Sequence, residues 1–213
     1  MESKLFPPVT VGPLTLRNRT IRSAAFESMC PGNAPSDMLL DYHRSVAAGG
    51  IGMTTVAYAA VTQSGLSFDR QLWMRPEIIP GLRRLTDAIH AEGAAAGIQL
   101  GHCGNMSHKS ICGCMPVGAS SGFNLYSPTF VRGLRADELP EMARAYGRSV
   151  NLAREAGFDS VEIHAGHGYL ISQFLSPSTN HRKDEFGGSL QNRMRFMHMV
   201  MEEVMKAAGS DMA

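Results

Sequence analysis

The segment VEIHAGHGYLISQFLSP contains the residues of this chain that are best suited to catalysis. His164 ends a short apolar run, His167 comes three residues later, and Tyr169 follows two residues after that. Paired imidazoles can bind a carbonyl oxygen and stabilise the negative charge that develops on it, and a nearby phenol can deliver a proton to the adjacent carbon. The spacing therefore predicts that His164, His167 and Tyr169 act at one site.

Two other interpretations fit the same two histidines. They could be buried side chains that are satisfied by backbone groups and have no catalytic role. They could also be ligands of a metal-dependent hydrolase or lyase, although the strand ends lack the acidic residues that would complete a coordination shell. We therefore expect no bound metal.

The cysteines give a second set of candidate ligands. The amino terminus has neither the apolar core nor the cleavage site of a signal peptide, so we expect free thiols and a cytoplasmic protein. The spacing of the cysteines and of the histidines near them matches no standard metal site. The candidate cluster consists of Cys112 and Cys114, with Cys103, His102 and His108 nearby, and the fourth cysteine, Cys30, lies outside it.

Length and charge narrow the classes of function. The chain has 213 residues with 20 basic and 19 acidic side chains, a net charge of +1 that argues against nucleic acid as a main partner. No stretch approaches the roughly 20 consecutive apolar residues that a membrane-spanning helix needs. We expect an ordinary globular protein with one well-filled core and no membrane partner.

Glycines at the ends of predicted helices divide the chain into repeated strand–helix units. Four amphipathic stretches end at glycine, which adopts the left-handed C-terminal cap without strain, and the first three run into short apolar segments typical of covered parallel strands. The predicted strands are 20–24, 52–58, 97–100 and 160–164. The predicted helices are 37–48, 80–92, 139–156 and 189–208.

The last predicted helix is rich in methionine. We expect its apolar stripe to pack into the core, because methionine fills irregular gaps well. The stripe consists of Leu190, Met194, Met197, Met201, Val204 and Met205.

Four strand–helix units predict either half of an eight-unit barrel or a small, open, doubly wound sheet. The connections after the third and fourth strands are long and those before the strands are short, which favours the barrel with its chemistry at the carboxyl ends of the strands. No GxGxxG follows the first strand, so a dinucleotide-binding crevice has little support.

Three segments resemble one known family. The run HAGHGYLISQFLSPSTNHRKDEFGGSLQNRMRF, residues 164–196, is similar to the signature of the old yellow enzyme family of flavin-dependent ene reductases, particularly its 2,4-dienoyl-CoA reductase and NADH:flavin oxidoreductase branches. Residues 5–27 and IQLGHCGN, residues 98–105, resemble two further motifs of that family. The resemblance implies an α/β TIM (β/α)8 barrel. Residues 1–213 would be the N-terminal part of a single FMN-binding domain, truncated after four βα units and preceded by a β-hairpin.

The resemblance also implies a reaction and its residues. NADH or NADPH would reduce non-covalently bound FMN, and hydride would then pass to the β carbon of an activated alkene. His164 and His167 would hold the substrate oxygen, and Tyr169 would be the proton donor. The residues implied for FMN are Gln99 at its pyrimidine edge and, lining the isoalloxazine, Tyr58 and the backbone of Ala24, Ala25 and Phe26.

The chain departs from the family pattern at two positions and in one larger respect. Phe26 stands where some relatives carry cysteine or threonine, and Asn105 stands where many carry arginine. The loops of the later strands that grip the flavin phosphate lie outside this sequence. The alternative is therefore a catalytically incomplete half-barrel, an assembly partner or a remnant. Because its edges would be bare, we expect such a half to form a homo-oligomer or to pair with a second chain that completes the barrel.

Overall fold

The computed structural model describes residues 3–213. Its centre is a four-stranded parallel sheet, and a long helix follows each of its strands. Their spatial order is Ile21–Arg22, Met53–Ala60, Ala95–Gly101 and Ser160–Ile163. In chain order the strands are β1 (Val9–Val11), β2 (Leu14–Leu16), β3 (Ile21–Arg22), β4 (Met53–Ala60), β5 (Ala95–Gly101), β6 (Val117–Gly118), β7 (Gly122–Asn124), β8 (Thr129–Gly133) and β9 (Ser160–Ile163). The helices are α1 (Asp37–Ala48), α2 (Ile79–Ala91), α3 (Lys109–Cys112), α4 (Leu139–Glu155), α5 (Leu170–Leu175) and α6 (Leu190–Ala208).

The predicted helix ends are confirmed by backbone geometry. The glycines that follow the four long helices, Gly50, Gly93, Gly157 and Gly209, all have a positive φ, between 66° and 92°. This is the region in which a residue without a β carbon is favoured. At the other end of α6, the Ser189 hydroxyl accepts a hydrogen bond from the Asn192 N–H at 3.2 Å, so it is an N-cap as predicted.

The core lies between the sheet and its helices. Val56, Ile98 and Leu100 point to the helix side and are fully buried, and Tyr146 and Val150 of α4 are also fully buried. Strand residues on the opposite face carry no helix cover. Within residues 3–213, no helix is both long and apolar enough to cross a membrane.

The methionine stripe of α6 is only partly buried. Leu190 and Met205 are 54% and 62% exposed, whereas Phe196 is fully buried, with its ring centroid 4.5 Å from that of Phe174 in α5. The prediction that the methionines fill the core is therefore wrong for Met205. The helix has two apolar stripes that share Val204, and packing against α4 and α5 buries most deeply the one formed by Phe196, Val200, Val204 and Ala208.

The second stripe borders an open apolar groove beside β9. The groove has a volume of about 690 Å³, and Met201, Met205 and Ile163 are among its lining residues. At one end of it the Ala213 N–H donates to the Asp159 carbonyl, and the Val161 N–H donates to the Ala213 carbonyl, both at 3.0 Å. This is the hydrogen-bond pattern of a neighbouring parallel strand.

Two smaller sheets flank the main one. β1 and β2 form an antiparallel hairpin at the position that the resemblance implies. β6, β8 and β7 form a three-stranded sheet within the long connection after β5, which the sequence analysis describes only as a loop. Its strands have two to five residues, too few for a periodic pattern to show.

A buried charge cluster ties the segment after β3 to β4. The Glu27 carboxylate lies 2.7 Å from Nη1 of Arg22 and 3.2 Å from Nε2 of His43, and it accepts the Ala57 N–H at 3.3 Å. The Glu27 side chain is 6% exposed, and that of Arg22 is 15% exposed. The carboxylate therefore compensates a cation that has little access to water.

We expect Glu27→Ala to lower the free energy of unfolding by about 3–5 kcal/mol, because it leaves the Arg22 guanidinium buried without a counter-ion. Denaturant unfolding measures the change. Asp137→Ala is the matched control, since it removes a carboxylate from a pair with Arg135 in which both side chains are more than 60% exposed. An equal effect of the two substitutions would contradict this account of the Glu27 cluster.

His102 follows β5 and is fully buried. Its Nδ1 accepts the Gly104 N–H at 3.0 Å, its Nε2 lies 3.1 Å from the Ser64 hydroxyl, and burial lowers its pKa to about 3. The folded protein therefore holds this ring neutral where the unfolded chain, with an ordinary histidine pKa near 6.5, takes up a proton.

Unfolding of the wild type should become easier as the pH falls from about 6.5 towards about 3, with a contribution from His102 of up to about 1.4 kcal/mol per pH unit. The slope of unfolding free energy against pH reports the number of protons taken up on unfolding. His102→Asn should reduce that number by up to one, so the slope should become shallower. Denaturant titrations across this range measure the slope, with the exposed His198→Asn as control. Identical slopes for the wild type and His102→Asn would exclude the explanation.

Candidate active site

The hydrogen-bond ladder between β5 and β9 positions the candidate site. Gln99 pairs in register with Glu162, and one step further the His164 N–H donates to the Leu100 carbonyl at 2.8 Å. Because side chains alternate along a strand, Gln99, Glu162 and His164 all lie on the face opposite the helices. His164 therefore sits at the carboxyl end of β9.

The three predicted catalytic side chains converge. The ring centroid of His164 lies 5.0 Å from that of His167 and 4.6 Å from that of Tyr169, on which it stacks with an angle of 28° between the planes. Nε2 of His164 lies 3.0 Å from Nδ1 of His167. The structure thus brings together the two imidazoles and the phenol on one side of the strand end.

The hydrogen bonds of His164 define its tautomer. Its Nδ1 accepts the Gly166 N–H at 3.2 Å, so the proton of the neutral ring resides on Nε2 and points to His167. Burial, and then the proximity of His167, lower the pKa of His164 below its usual value near 6.5. At neutral pH the His164 ring is therefore an uncharged hydrogen-bond donor.

Tyr169 has the properties of a proton donor. It is half-buried, and burial raises the pKa of its hydroxyl above the usual value near 10, while the Ser67 hydroxyl acts in the opposite direction. The phenol therefore keeps its proton at neutral pH. Stacking on His164 fixes the plane of its ring.

The loop that carries His167 has an unusual backbone. His167 has φ of 54° and Gly168 has φ of 69°, so a side-chain-bearing residue occupies the left-handed region. The amide of Gln173, which is 1% exposed, holds this loop by donating to the Gly168 carbonyl at 2.6 Å and to the Cys103 carbonyl at 3.1 Å. Gln173 was not predicted from the sequence, although a glutamine within the apolar run LISQFL is a usable signal of a buried polar contact.

Gln99 has a partner that the sequence analysis also missed. Its amide donates to the carboxylate of Glu162 on the neighbouring strand. Glu162 precedes His164 by two residues, and the alternation of a strand would have placed both on one face. The region beside the two histidines therefore contains an amide and a carboxylate.

Tyr58 lies behind the predicted catalytic rings. It is 7% exposed, its hydroxyl donates to the Gly65 carbonyl at 2.6 Å, and its ring lies edge-on to both His164 and Tyr169, with centroids 5.7 Å and 5.4 Å away. A β carbon at Gly101 would be only 2.3 Å from this ring. The ring packs against His164 and Tyr169, and its predicted contact with the isoalloxazine stays a prediction.

Ala24, Ala25 and Phe26 lie in the irregular segment after β3. Ala25 and Phe26 are exposed, and the Phe26 ring stacks on that of Phe68 with centroids 5.0 Å apart. This segment is therefore accessible to solvent, and its predicted place beside a flavin with Gln99 stays a prediction.

An open cavity adjoins Tyr169. Its volume is about 480 Å³, and the residues around it come from the loops after β4 and β5. They include Ser67, Phe68, Met106, His108, Ile111 and Tyr126. Aromatic and apolar surface with a few hydroxyls is typical of a small-molecule site.

A metal centre has no ligand set in the part of the chain that the structure describes. No three histidine, cysteine, aspartate or glutamate side chains come close enough there to hold an ion. His164 and His167 bond to each other, and Nδ1 of His164 also accepts the Gly166 N–H, so the interpretation as a metal-dependent hydrolase or lyase has no further support.

Known proteins with similar sequences are named as reductases and dehydrogenases. The chain is 43% identical over 209 residues to the 4,4'-dithiodibutanoate disulfide reductase of Rhodococcus erythropolis. The alignment covers 98% of this chain and 52% of the relative. It is 36% identical to the NADPH dehydrogenase of Bacillus subtilis, over 96% of this chain and 60% of the relative.

Solved structures of other proteins contain the same fold as this chain. The old yellow enzyme homologue from Zymomonas mobilis superposes with a TM-score of 0.91 at 29% identity, over 99% of this chain and 62% of the other. Morphinone reductase in complex with tetrahydroNAD superposes with a TM-score of 0.90 at 28% identity, over 99% of this chain and 63% of the other. The chain thus spans about half to two thirds of the length of these relatives, and its fold corresponds to part of a TIM barrel.

The family assignment rests on a match along almost the whole chain. The sequence model of the NADH:flavin oxidoreductase / NADH oxidase family matches residues 4–213. The resemblance inferred from the HAGHGY, amino-terminal and IQLGHCGN motifs is confirmed. This chain is a member of the NADH:flavin oxidoreductase / NADH oxidase family.

Proposed function

We propose that the chain is the N-terminal part of an FMN-dependent oxidoreductase of the old yellow enzyme type, which uses NADH or NADPH to reduce an activated alkene. The observation that carries this proposal is the convergence of His164, His167 and Tyr169 at the carboxyl end of β9. A neutral imidazole donor, a second imidazole and a protonated phenol are the groups that reduction of a carbon–carbon double bond next to a carbonyl requires.

The residues present fit a flavin. The pyrimidine edge of FMN presents both donors and acceptors, and the carboxamide of Gln99 can supply both kinds of partner from the helix-free face of the sheet. The exposed backbone of Ala25 and Phe26 is available to line the ring system. Bound there, FMN would supply the hydride, taken from NADH or NADPH and passed to the β carbon of the alkene.

The chain's own residues would polarise the substrate and complete the reduction. We assign His164 and His167 to the substrate oxygen, which would accept hydrogen bonds from the two rings in place of their contact with each other. The low pKa of His164 keeps its ring neutral, so that the ring donates through Nε2 and stabilises developing charge without a proton transfer. Tyr169 would donate its proton to the α carbon.

An organic disulfide is a second candidate for the electron acceptor. The relative from Rhodococcus erythropolis, which is 43% identical, is named for a disulfide substrate. With such an acceptor, Tyr169 would protonate a departing thiolate instead of a carbon. Parallel assays with 2-cyclohexenone and 4,4'-dithiodibutanoate distinguish the two classes.

We further propose that the four strand–helix units are the first four of an eight-unit barrel. The free edge of β9, the hydrogen bonds of Ala213 to that edge, and the apolar groove lined by Met201 and Met205 support further strands and helices at this side. They would come from the same polypeptide or from a second chain. A catalytically incomplete half that acts only in assembly is the alternative, and FMN binding tests it.

Purified protein should show a flavin absorbance band, or acquire one when FMN is added. Gln99→Ala should weaken FMN binding about fivefold, since one hydrogen bond contributes about 1 kcal/mol. The control is Gln63→Ala, at an exposed glutamine in the loop after β4. A wild type that stays colourless with excess FMN would exclude a flavin enzyme formed by this polypeptide alone.

Tyr169→Phe should slow alkene reduction by about 100-fold or more, because it removes the proton donor and leaves the ring stack on His164 in place. Flavin reduction by NADPH should change little. Stopped-flow measurement of the two half-reactions separates these effects. Tyr126→Phe, at a 94% exposed tyrosine of the same cavity, is the matched control, and equal slowing of both half-reactions would refute the assignment.

A further inference from the structure

Two cysteines outside the proposed reaction lie close together in the loop after β5. Cys112 ends α3 and Cys114 follows two residues later, and their sulfur atoms are 3.8 Å apart. Gly113 between them has φ of 75° and bonds through its N–H to the Lys109 carbonyl at 2.9 Å. This left-handed turn brings both thiols to the same side of the loop.

The two thiols differ in access to solvent. Cys112 is 2% exposed, whereas Cys114 is exposed and borders an open surface cavity that also contains Arg132. An attacking reagent can therefore reach the sulfur of Cys114 and not that of Cys112. An exposed thiol backed by a buried one is the arrangement of an attacking and a resolving cysteine.

We propose that Cys112 and Cys114 form a redox-active dithiol, which a small organic disulfide oxidises to an intrachain disulfide. The Cys114 thiolate attacks one sulfur of the reagent, which forms a mixed disulfide and releases one thiol. The Cys112 thiolate then attacks Cys114, breaks the mixed disulfide and releases the second thiol. The two cysteines lose two electrons and two protons, which the reagent gains as two thiols.

The two sulfur atoms are already in contact. They must approach from 3.8 Å to about 2.05 Å to form the bond. Gly113 carries no side chain that could block this movement. The main chain of the turn already has its compact form.

The other two cysteines, Cys30 and Cys103, should react poorly with the disulfide reagent. Burial raises the pKa of both Cys30 and Cys103 to about 12. Burial and the neighbouring Cys112 also raise the pKa of Cys114, while Arg132 lowers it. The exchange should therefore accelerate about tenfold per pH unit below the pKa of Cys114, as the thiolate fraction grows.

Oxidation would act next to the cavity of Tyr169. Ile111 precedes Cys112, lines that cavity, and packs against the cluster of Tyr58 and Cys103. A change in the end of α3 is therefore transmitted to a wall of the cavity through a single residue.

The experiment treats the fully reduced protein with glutathione disulfide, without NADPH, and measures free thiols and intact mass. The wild type should lose two of its four thiols and retain no glutathione, with a mass lower by two hydrogen atoms. Cys112→Ser should instead retain one glutathione on Cys114. Cys114→Ser should lose no thiol, and Cys30→Ser should behave as the wild type.

Three results would overturn the proposal. They are a wild type that keeps all its thiols at alkaline pH, a wild type that retains glutathione in a stable mixed disulfide, and a Cys114→Ser variant that still loses two thiols. Since Cys114 is exposed, its replacement should not disturb folding. The Cys114→Ser variant therefore tests the proposal even if Cys112→Ser does not fold. Neither FMN nor a substrate takes part, so the result is independent of the proposed function.

Discussion

The register of the parallel ladder between β5 and β9 is the constraint on which the candidate site depends. It pairs Gln99 with Glu162 and places the His164 N–H on the Leu100 carbonyl. A slip of one residue would turn His164 and Glu162 into the helix layer and bring Ile163 to the helix-free face. The full burial of Ile98 and Leu100 on the other side opposes such a slip, so core packing and site geometry have the same origin.

The ladder determines the position of His164 only. The loop after β9 determines the positions of His167 and Tyr169. His167 reaches His164 because the backbone enters the left-handed region there, and Gln173 holds that backbone by bonding to Gly168. The same amide bonds to Cys103 in the loop after β5. One buried side chain thus joins the two loops and couples the position of His167 to that of the neighbouring strand end.

Local signals in the sequence were sufficient to predict the four strands of the main sheet, the four long helices and the cluster of His164, His167 and Tyr169. Glycines such as Gly93 and Gly157 mark helix ends because the left-handed conformation is a property of the residue itself, and the HxxHxY spacing places three side chains near one strand end.

Other features depend on partners far away in the chain. The buried face of α6 is chosen by contact with α4 and α5, and the role of Glu27 follows from Arg22, His43 and Ala57. The strands β6 to β8 are too short to carry a period. The position of Glu162, by contrast, could have been predicted from strand alternation.

The close approach of Tyr58 to Gly101 has an evolutionary consequence. With only 2.3 Å between the ring and a β carbon at position 101, neither residue can change size alone without moving the support of His164 and Tyr169. Homologues with a bulkier residue at 101 should therefore carry a smaller one at 58. The two sites should covary, and the space between them should be divided differently from one lineage to the next.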